Sequence, residues 1–336
     1  MPVRGEQLLP VLRVGEIKST EIAQRWMIEE LWGASAVGVI GGAPKCAKTW
    51  LGLDMALSVA TGTACLGKYA VPQPGPVLIY LAEDALPAVR ERIEGMARHR
   101  GLDLGSVEVH VITTPVLRLD GDRDRTRLWE TTRQLRPRLL VLDPLVRLHS
   151  IDENSAGEVA RLLAYFRSLQ RQFDISVLLV HHTRKNAAGG VAAGQGLRGS
   201  SDIHAFGDSN LYLRRSREYL LLSSEHRAAP AAAPVCLELV ATDENTAHLE
   251  VVSELRDGSA KLATDGRQGG LEQRVLDLLG NGAVLTRAKL RGALGVKNER
   301  LGEALEALER AGRLCRTPAG WQRRNGSIEG GRSRSL

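Results

Sequence analysis

The sequence predicts an α/β fold built on a mainly parallel sheet, with a small second domain at its C-terminal end. Three observations carry this. Short apolar runs of the buried-strand kind alternate with amphipathic helices between residues 36 and 180, and strands that are apolar throughout belong to a sheet covered on both faces. One of those runs passes through a Gly/Pro loop directly into a helix. Beyond a Gly-rich polar stretch, the pattern changes to short leucine-faced helices and a hairpin.

Taken in order, residues 1–30 form a lead-in segment with a short helix near Ile17–Gln24. Strands are expected at Ala36–Ile40, Val77–Leu81, Val107–Ile112, Leu139–Leu142 and Ser176–Val180. The helices between them are expected at Thr49–Ala60, Ala85–Arg98, Arg123–Leu135 and Gly157–Gln172. Asn210–Leu213, Tyr219–Ser223, Val235–Val240 and Ala247–Val252 follow with short turns and read as a mainly antiparallel extension. The core thus covers 31–256, and 257–270 (DGSAKLATDGRQGG) is a linker. In residues 271–324, Leu271, Val275, Leu278 and Leu279 make one helical face, Leu290 and Leu294 a second, and Leu301, Leu305 and Leu308 a third. Gly312 ends the last helix, and Leu314–Gln322 is a hairpin, which together is the winged-helix pattern. The tail 325–336 is rich in Gly, Ser and Arg and is expected to be disordered.

Composition narrows the class. The 336 residues carry a net charge of +6. Residues 271–336 hold 13 Lys+Arg against 7 Asp+Glu, whereas residues 1–270 hold 32 of each sign. An electroneutral body with a basic end points to an anionic partner for that end. No apolar run approaches the roughly 18 residues of a membrane helix, and Met1–Glu6 lacks the basic and apolar regions of a signal peptide. The cysteines Cys46, Cys65, Cys236 and Cys315 are scattered, which fits a reducing cytoplasm better than a disulfide framework or zinc site.

The most informative stretch is Val37–Trp50, VGVIGGAPKCAKTW. It approaches the phosphate-binding loop G-x-x-x-x-G-K-S/T, with Gly42, Ala43, Pro44, Lys45, Cys46, Ala47, Lys48, Thr49 and Trp50 as nucleotide-contacting positions. Backbone N–H groups of such a loop and its helix N-terminus point at phosphate oxygens. Lys48 supplies positive charge for the β- and γ-phosphates of a nucleotide, and Thr49 a hydroxyl for Mg²⁺. The glycine expected before the lysine is Ala47, which fits only if its backbone avoids the glycine-only region. Asp143 closes the strand RLLVLDP and suits the metal-holding acid. VLIYLAED places Glu83 and Asp84 at another strand end. There Glu83 is the candidate to orient or deprotonate water, and Asp84 reads as a helix cap. SVLLVHHTRK ends a further strand in His181 and His182, one of which could sense the γ-phosphate. Neighbours on a strand point to opposite sides, which argues against a joint metal site.

Together GGAPKCAKTW, VLIYLAEDALPAVRERI, LLVLDPLVRL and VLLVHHTRK, with LRGSSDIHAFGDSNLYLRR and SSEHR, resemble the RecA-fold ATPases. Within them the resemblance is to the RepA-like replicative helicases of plasmids and phages, over about 25–252. It implies a RecA-like P-loop core active as a ring, usually a hexamer, with ATP and Mg²⁺ between subunits. It also implies Lys48 and Thr49 as the Walker A pair, Asp143 as the Walker B acid, Glu83 as the catalytic carboxylate and His182 or His181 as the polar sensor. Arg227 would be the finger reaching a neighbouring subunit, with Arg214 and Arg215 as rivals.

The expected DNA contacts fall in two places. Thr183–Ser201 is a Gly-rich loop bearing Arg184, Lys185 and Arg198, suited to tracking one strand. The winged helix offers Lys297, Asn298 and Arg300, and Arg316, Arg323 and Arg324 lie in or after the wing. Glu299, Glu303 and Glu306 form an acidic stripe on the same helix, which leaves protein docking open beside DNA binding. The sequence therefore leads to an ATP-driven hexameric DNA helicase or translocase serving replication or maintenance of a mobile element. The alternative is an ATP-gated DNA-binding regulator or recruiter that does not unwind. A RecA-like recombinase is a third class with no sequence feature of its own here.

Overall fold

The computed structural model describes residues 11–16, 25–182, 201–216, 219–241, 246–252, 269–280, 283–294, 298–317 and 319–323. The chain divides into two compact units, Met1–Ser253 and Glu254–Leu336.

In the first unit, strands β1 (Trp26–Ile28) and β2 (Trp32–Gly33) form a small antiparallel hairpin. β3 (Val37–Gly42) then leads into α1 (Lys48–Thr61). There follow β4 (Val77–Leu81), α2 (Leu86–His99), β5 (Val109–Val111), α3 (Asp122–Leu135) and β6 (Leu139–Asp143). Next come α4 (Ala156–Phe173), β7 (Ser176–His182) and α5 (Ser201–Phe206). The unit closes with β8 (Ser209–Ser216), β9 (Tyr219–His226), β10 (Val235–Ala241) and β11 (Ala247–Val251). The nine strands β3–β11 form one sheet in the order β11-β10-β9-β8-β3-β7-β6-β4-β5. Strands β8, β3, β7, β6, β4 and β5 pair in parallel, and β9, β10 and β11 extend the sheet antiparallel.

Alternation along each central strand sorts side chains to two cores. Val77, Ile79, Leu139, Val141, Leu178 and Val180 face the core shared with α1 and α2. Leu78, Tyr80, Leu140, Leu142, Val177 and Leu179 face the core shared with α3 and α4. Both faces are covered, which is why these strands read as continuous apolar runs. Gly38 is required by the packing of β3 on β8, since a Cβ there would lie 1.7 Å from the Ser209 carbonyl oxygen.

Three details differ from the sequence reading. The hairpin β1/β2 straddles the expected 30/31 boundary, and Met27, Ile28, Leu31 and Trp32 are buried in the core beneath α1. The strand expected at Val107–Ile112 is only three residues long, because Leu104–Ser106 forms a 3-10 turn just before it. The helix α5 follows directly on the loop segment and was not anticipated. The expected helix near Ile17–Gln24, the loop arginines and the basic tail lie outside the described residues.

The second unit holds α6 (Gly269–Leu278), α7 (Arg287–Leu294) and α8 (Asn298–Arg310), then the antiparallel pair β12 (Leu314–Thr317) and β13 (Gly320–Arg323). A bridge between Leu285 and Trp321 ties the hairpin to the segment before α7. Val275, Leu276, Leu279, Leu290, Leu294, Leu301, Leu305, Leu308, Leu314 and Trp321 form its core. Leu278, expected on the inner face, is instead 37% exposed. Leu276 takes the inward position, because the buried stripe runs through 275, 276 and 279 at helical spacing.

Candidate nucleotide site

The parallel strands β3, β4, β6 and β7 all end at one sheet edge, where ligands of open α/β sheets bind. A cleft of about 380 Å³ opens there. Its walls include Lys45, Cys46, Ala47, Lys48, Thr49, Trp50, Glu83, Asp84, Asp143 and His182, together with Arg92 and Leu239. Five residues singled out for their chemistry, Lys48, Thr49, Glu83, Asp143 and His182, thus meet in a single concavity although they come from four strand ends.

The loop between β3 and α1 has two non-glycine residues in the left-handed region, Lys45 (φ 63°) and Ala47 (φ 56°, ψ 27°). Such turns aim successive N–H groups into a concavity that suits an anion. Ala47 has positive φ yet stays out of the glycine-only region, which is the condition an alanine there must meet. It occupies the left-handed helical well, open to an L-residue at about 1 kcal/mol or more. Replacing Ala47 with glycine removes that cost but raises unfolded-chain entropy, so a net stabilisation below about 1 kcal/mol is expected. Chemical denaturation at pH 7.5 checks it. Gly42, expected in the loop, is the last residue of β3. Gly42, Ala43 and Pro44 do not line the cleft; the Ala43 carbonyl instead accepts a hydrogen bond from Lys48 Nζ at 2.8 Å.

Lys48 is only 5% exposed. Burial pushes its ammonium below the usual lysine range, against Cys46, Asp143 and Glu83, which pull it back up. Asp143 ends β6, and its Oδ2 accepts a hydrogen bond from Thr49 Oγ1 at 2.6 Å. Burial pushes its carboxyl up to about 6, opposed by the Thr49 hydrogen bond and Lys48 and reinforced by Asp84 and Glu83. A desolvated carboxylate bonded to a hydroxyl, with two more acids nearby, would be relieved by a cation, so these donors fit Mg²⁺.

Glu83 does not point freely into the cleft. Its Oε1 accepts from Arg147 Nε at 2.8 Å, and both side chains are about half exposed. Asp84 does not cap α2 as expected. The cap position is Ala85, without a side-chain hydrogen bond, and Asp84 pairs with Arg92 at 2.7 Å. The Arg92 guanidinium also lies 5.2 Å from the Trp50 ring centroid. Arg92 and Arg147 were missed in the sequence because nothing local marks them; each acts through a partner brought near by the fold. The two histidines separate as strand alternation requires: His182 lines the cleft, and His181 is buried, 1% exposed, away from it.

The three candidate finger arginines occupy opposite ends of the sheet. Arg227 follows β9, whose end pairs with the start of β8, far from the cleft. There it pairs with Asp208 at 3.5 Å and donates to the Ala205 carbonyl at 2.8 Å. Arg214 and Arg215 lie at the opposite end of β8, beside the phosphate loop. Arg215 donates to the Lys45 carbonyl at 3.1 Å. Of the expected DNA contacts, Arg184, Lys185, Arg198, Lys297 and Arg324 lie outside the described residues. Arg300 lies in the first turn of α8, and Arg323 is exposed at the end of β13.

Among the described residues no helix is long and apolar enough to cross a membrane. A family model for an AAA domain matches residues 3–188, more than half of the chain. Among solved structures, the chain is similar to a crystal structure of the RadB recombinase at 16% identity. That match covers 66% of this chain and 92% of that one, with a TM-score of 0.48. The phosphate loop after β3 and the acid at the end of β6 accord with the family match: the chain belongs to the AAA domain family.

Proposed function

We propose that the chain is an ATP-driven, ring-forming DNA helicase or translocase of the RepA-like type, a hexamer acting in replication or maintenance of a mobile element. The observation that carries the proposal is the convergence of Lys48, Thr49, Glu83, Asp143 and His182 on one cleft. In this reading Lys48 and the loop N–H groups hold the phosphates of ATP, and Thr49 and Asp143 hold Mg²⁺. The metal, when bound, supplies positive charge to the phosphoryl oxygens. Glu83 orients the attacking water and takes its proton, and His182 reads the state of the γ-phosphate. Arg227 is exposed enough to reach a neighbouring subunit, at the cost of its contacts with Asp208 and Ala205.

Arg184, Lys185 and Arg198 would follow a single DNA strand in the ring channel. The second unit would act as a winged helix, with Lys297, Arg300, Arg323 and Arg324 touching phosphates. Deleting residues 271–336 removes the entire excess of positive charge. It is expected to weaken DNA binding and flatten its salt dependence, while ATP turnover without DNA changes little. Filter binding across a salt series, beside a turnover assay, checks this. Unwinding of a forked duplex tests the main proposal. ATP-dependent strand displacement that Lys48→Ala abolishes supports it, and DNA binding without displacement overturns it.

A second reading, an ATP-gated regulator or recruiter on DNA, is favoured by one observation. Glu83 is engaged by Arg147, just after the Asp143 strand, which leaves the carboxylate bonded to a guanidinium rather than free for water. Replacing Arg147 with alanine is expected to raise ATP turnover in the absence of DNA. The pair is exposed and worth under about 1 kcal/mol, so the melting temperature should fall by less than about 4 °C. Turnover that falls with Arg147→Ala would instead make Arg147 part of the hydrolytic machinery.

A further inference from the structure

Away from the nucleotide cleft, the end of α2 and the sheet-edge strand β11 bring two imidazoles and a carboxylate together. His99 is the last residue of α2; His248 and Glu250, two apart on β11, project from the same face of the strand. The two rings stack with centroids 3.6 Å apart at 22°. His248 Nε2 is 2.7 Å from Glu250 Oε1. One ligating atom from each of the three residues lies within 4.8 Å of the others. We propose that His99, His248 and Glu250 form a binding site for a divalent first-row transition metal of the zinc class, clamping β11 to α2.

The chemistry of the donors selects this class. Imidazole nitrogen with one carboxylate oxygen suits Zn²⁺ and its neighbours, whereas Mg²⁺ and Ca²⁺ prefer all-oxygen shells. Bond lengths near 2.0–2.2 Å require the donors to close in from 4.8 Å. His99 and Glu250 are exposed and can make that adjustment, while His248, 7% exposed, anchors the site.

The surroundings leave room and limit opposing charge. The three residues line a cleft of about 650 Å³, which leaves space for a water or an outside ligand at a fourth position. Two cations share that cleft. Arg100 is bound to the buried Asp54 at 2.5 Å, and Lys68 lies over the Tyr69 ring at 5.2 Å. The close approach of the two elements is built in: a Cβ on Gly95 of α2 would lie 2.4 Å from the Thr246 side chain just before β11.

The test uses the full chain without a polyhistidine tag, stripped with chelator and titrated with Zn²⁺ in a calorimeter. Co²⁺ is titrated in parallel for its visible spectrum. The expected result is one Zn²⁺ per chain at this site and a Co²⁺ spectrum of nitrogen–oxygen ligation without a thiolate charge-transfer band. His99→Ala and Glu250→Gln should each weaken that binding about tenfold or more, since even outer-shell partners of metal ligands cost that much. Zn²⁺ should also raise the melting temperature of the wild-type chain and not of His99→Ala. Both substitutions are at exposed side chains, and ATP turnover should be unchanged in each. Zn²⁺ binding of equal strength in wild type and both variants, or none at all, overturns the proposal.

Discussion

Replacing Lys48 with alanine is expected to lower ATP turnover by about 10²-fold or more, equivalent to about 3 kcal/mol of barrier. The side chain is buried at the start of α1, and its ammonium donates to the Ala43 carbonyl. Once phosphates enter, the same group can turn to them and meet the charge that spreads over the transferring phosphoryl. Alanine removes both the positive charge and the tie that shapes the loop. Arginine should not rescue, because a planar fork cannot occupy the space of a compact ammonium. The fold should survive, because a cation already penalised by burial is being removed. Steady-state turnover beside near-ultraviolet circular dichroism checks both parts. A folded Lys48→Ala protein within threefold of wild-type activity would sink the assignment.

Asp143→Asn is expected to have opposite effects on binding and on stability. Its carboxyl titrates near 6 in the folded chain and near 3.8 when unfolded. Between those values the folded state binds the proton more tightly, so the charge costs stability above about pH 6, and the cost fades as pH falls toward 3.8. The nucleotide-free asparagine variant should therefore be more stable than wild type at pH 7.5, by up to about 3 kcal/mol, and equal to it below pH 4. Metal-dependent nucleotide affinity should move the other way. It falls sharply in the variant at pH 7.5. In the wild type it falls about tenfold between pH 7.5 and 5, as the carboxylate is protonated. Denaturation and nucleotide titration with and without Mg²⁺, each across pH, read out the pair. A wild-type affinity that does not depend on pH would show that Asp143 does not hold the metal.

The relation between these residues was legible in the sequence to different depths. Asp143 and His182 end strands whose apolar runs mark them, and Lys48 and Thr49 open the helix that follows a third, so their shared edge follows from strand direction in a parallel sheet. The choice between His181 and His182 was not legible until the strand's facing was known. Asp84 looked like a cap because it precedes a helix, yet its charge goes to Arg92, eight residues further on and two turns along α2. Arg147 and Glu83 are 64 positions apart, and Arg215 and Lys45 are 170 apart. No local pattern encodes such pairs, because they exist only once β4 is paired with β6 and β3 with β8.

The second unit shows the same division. Its leucine spacing announced three helices, but the rotation of the first one, with Leu276 inside and Leu278 outside, was set by what α7 and α8 present to it. By itself, the sequence determined the parallel core, the phosphate loop and the location of the positive charge, because periodicity, glycine placement and net charge are local or additive properties of the chain. Only the tertiary structure decided which histidine faces the cleft, which arginines hold Glu83 and Asp84, and that His99 meets His248 and Glu250. Those contacts depend on strand order and helix rotation, which arise from packing among segments distant in the sequence.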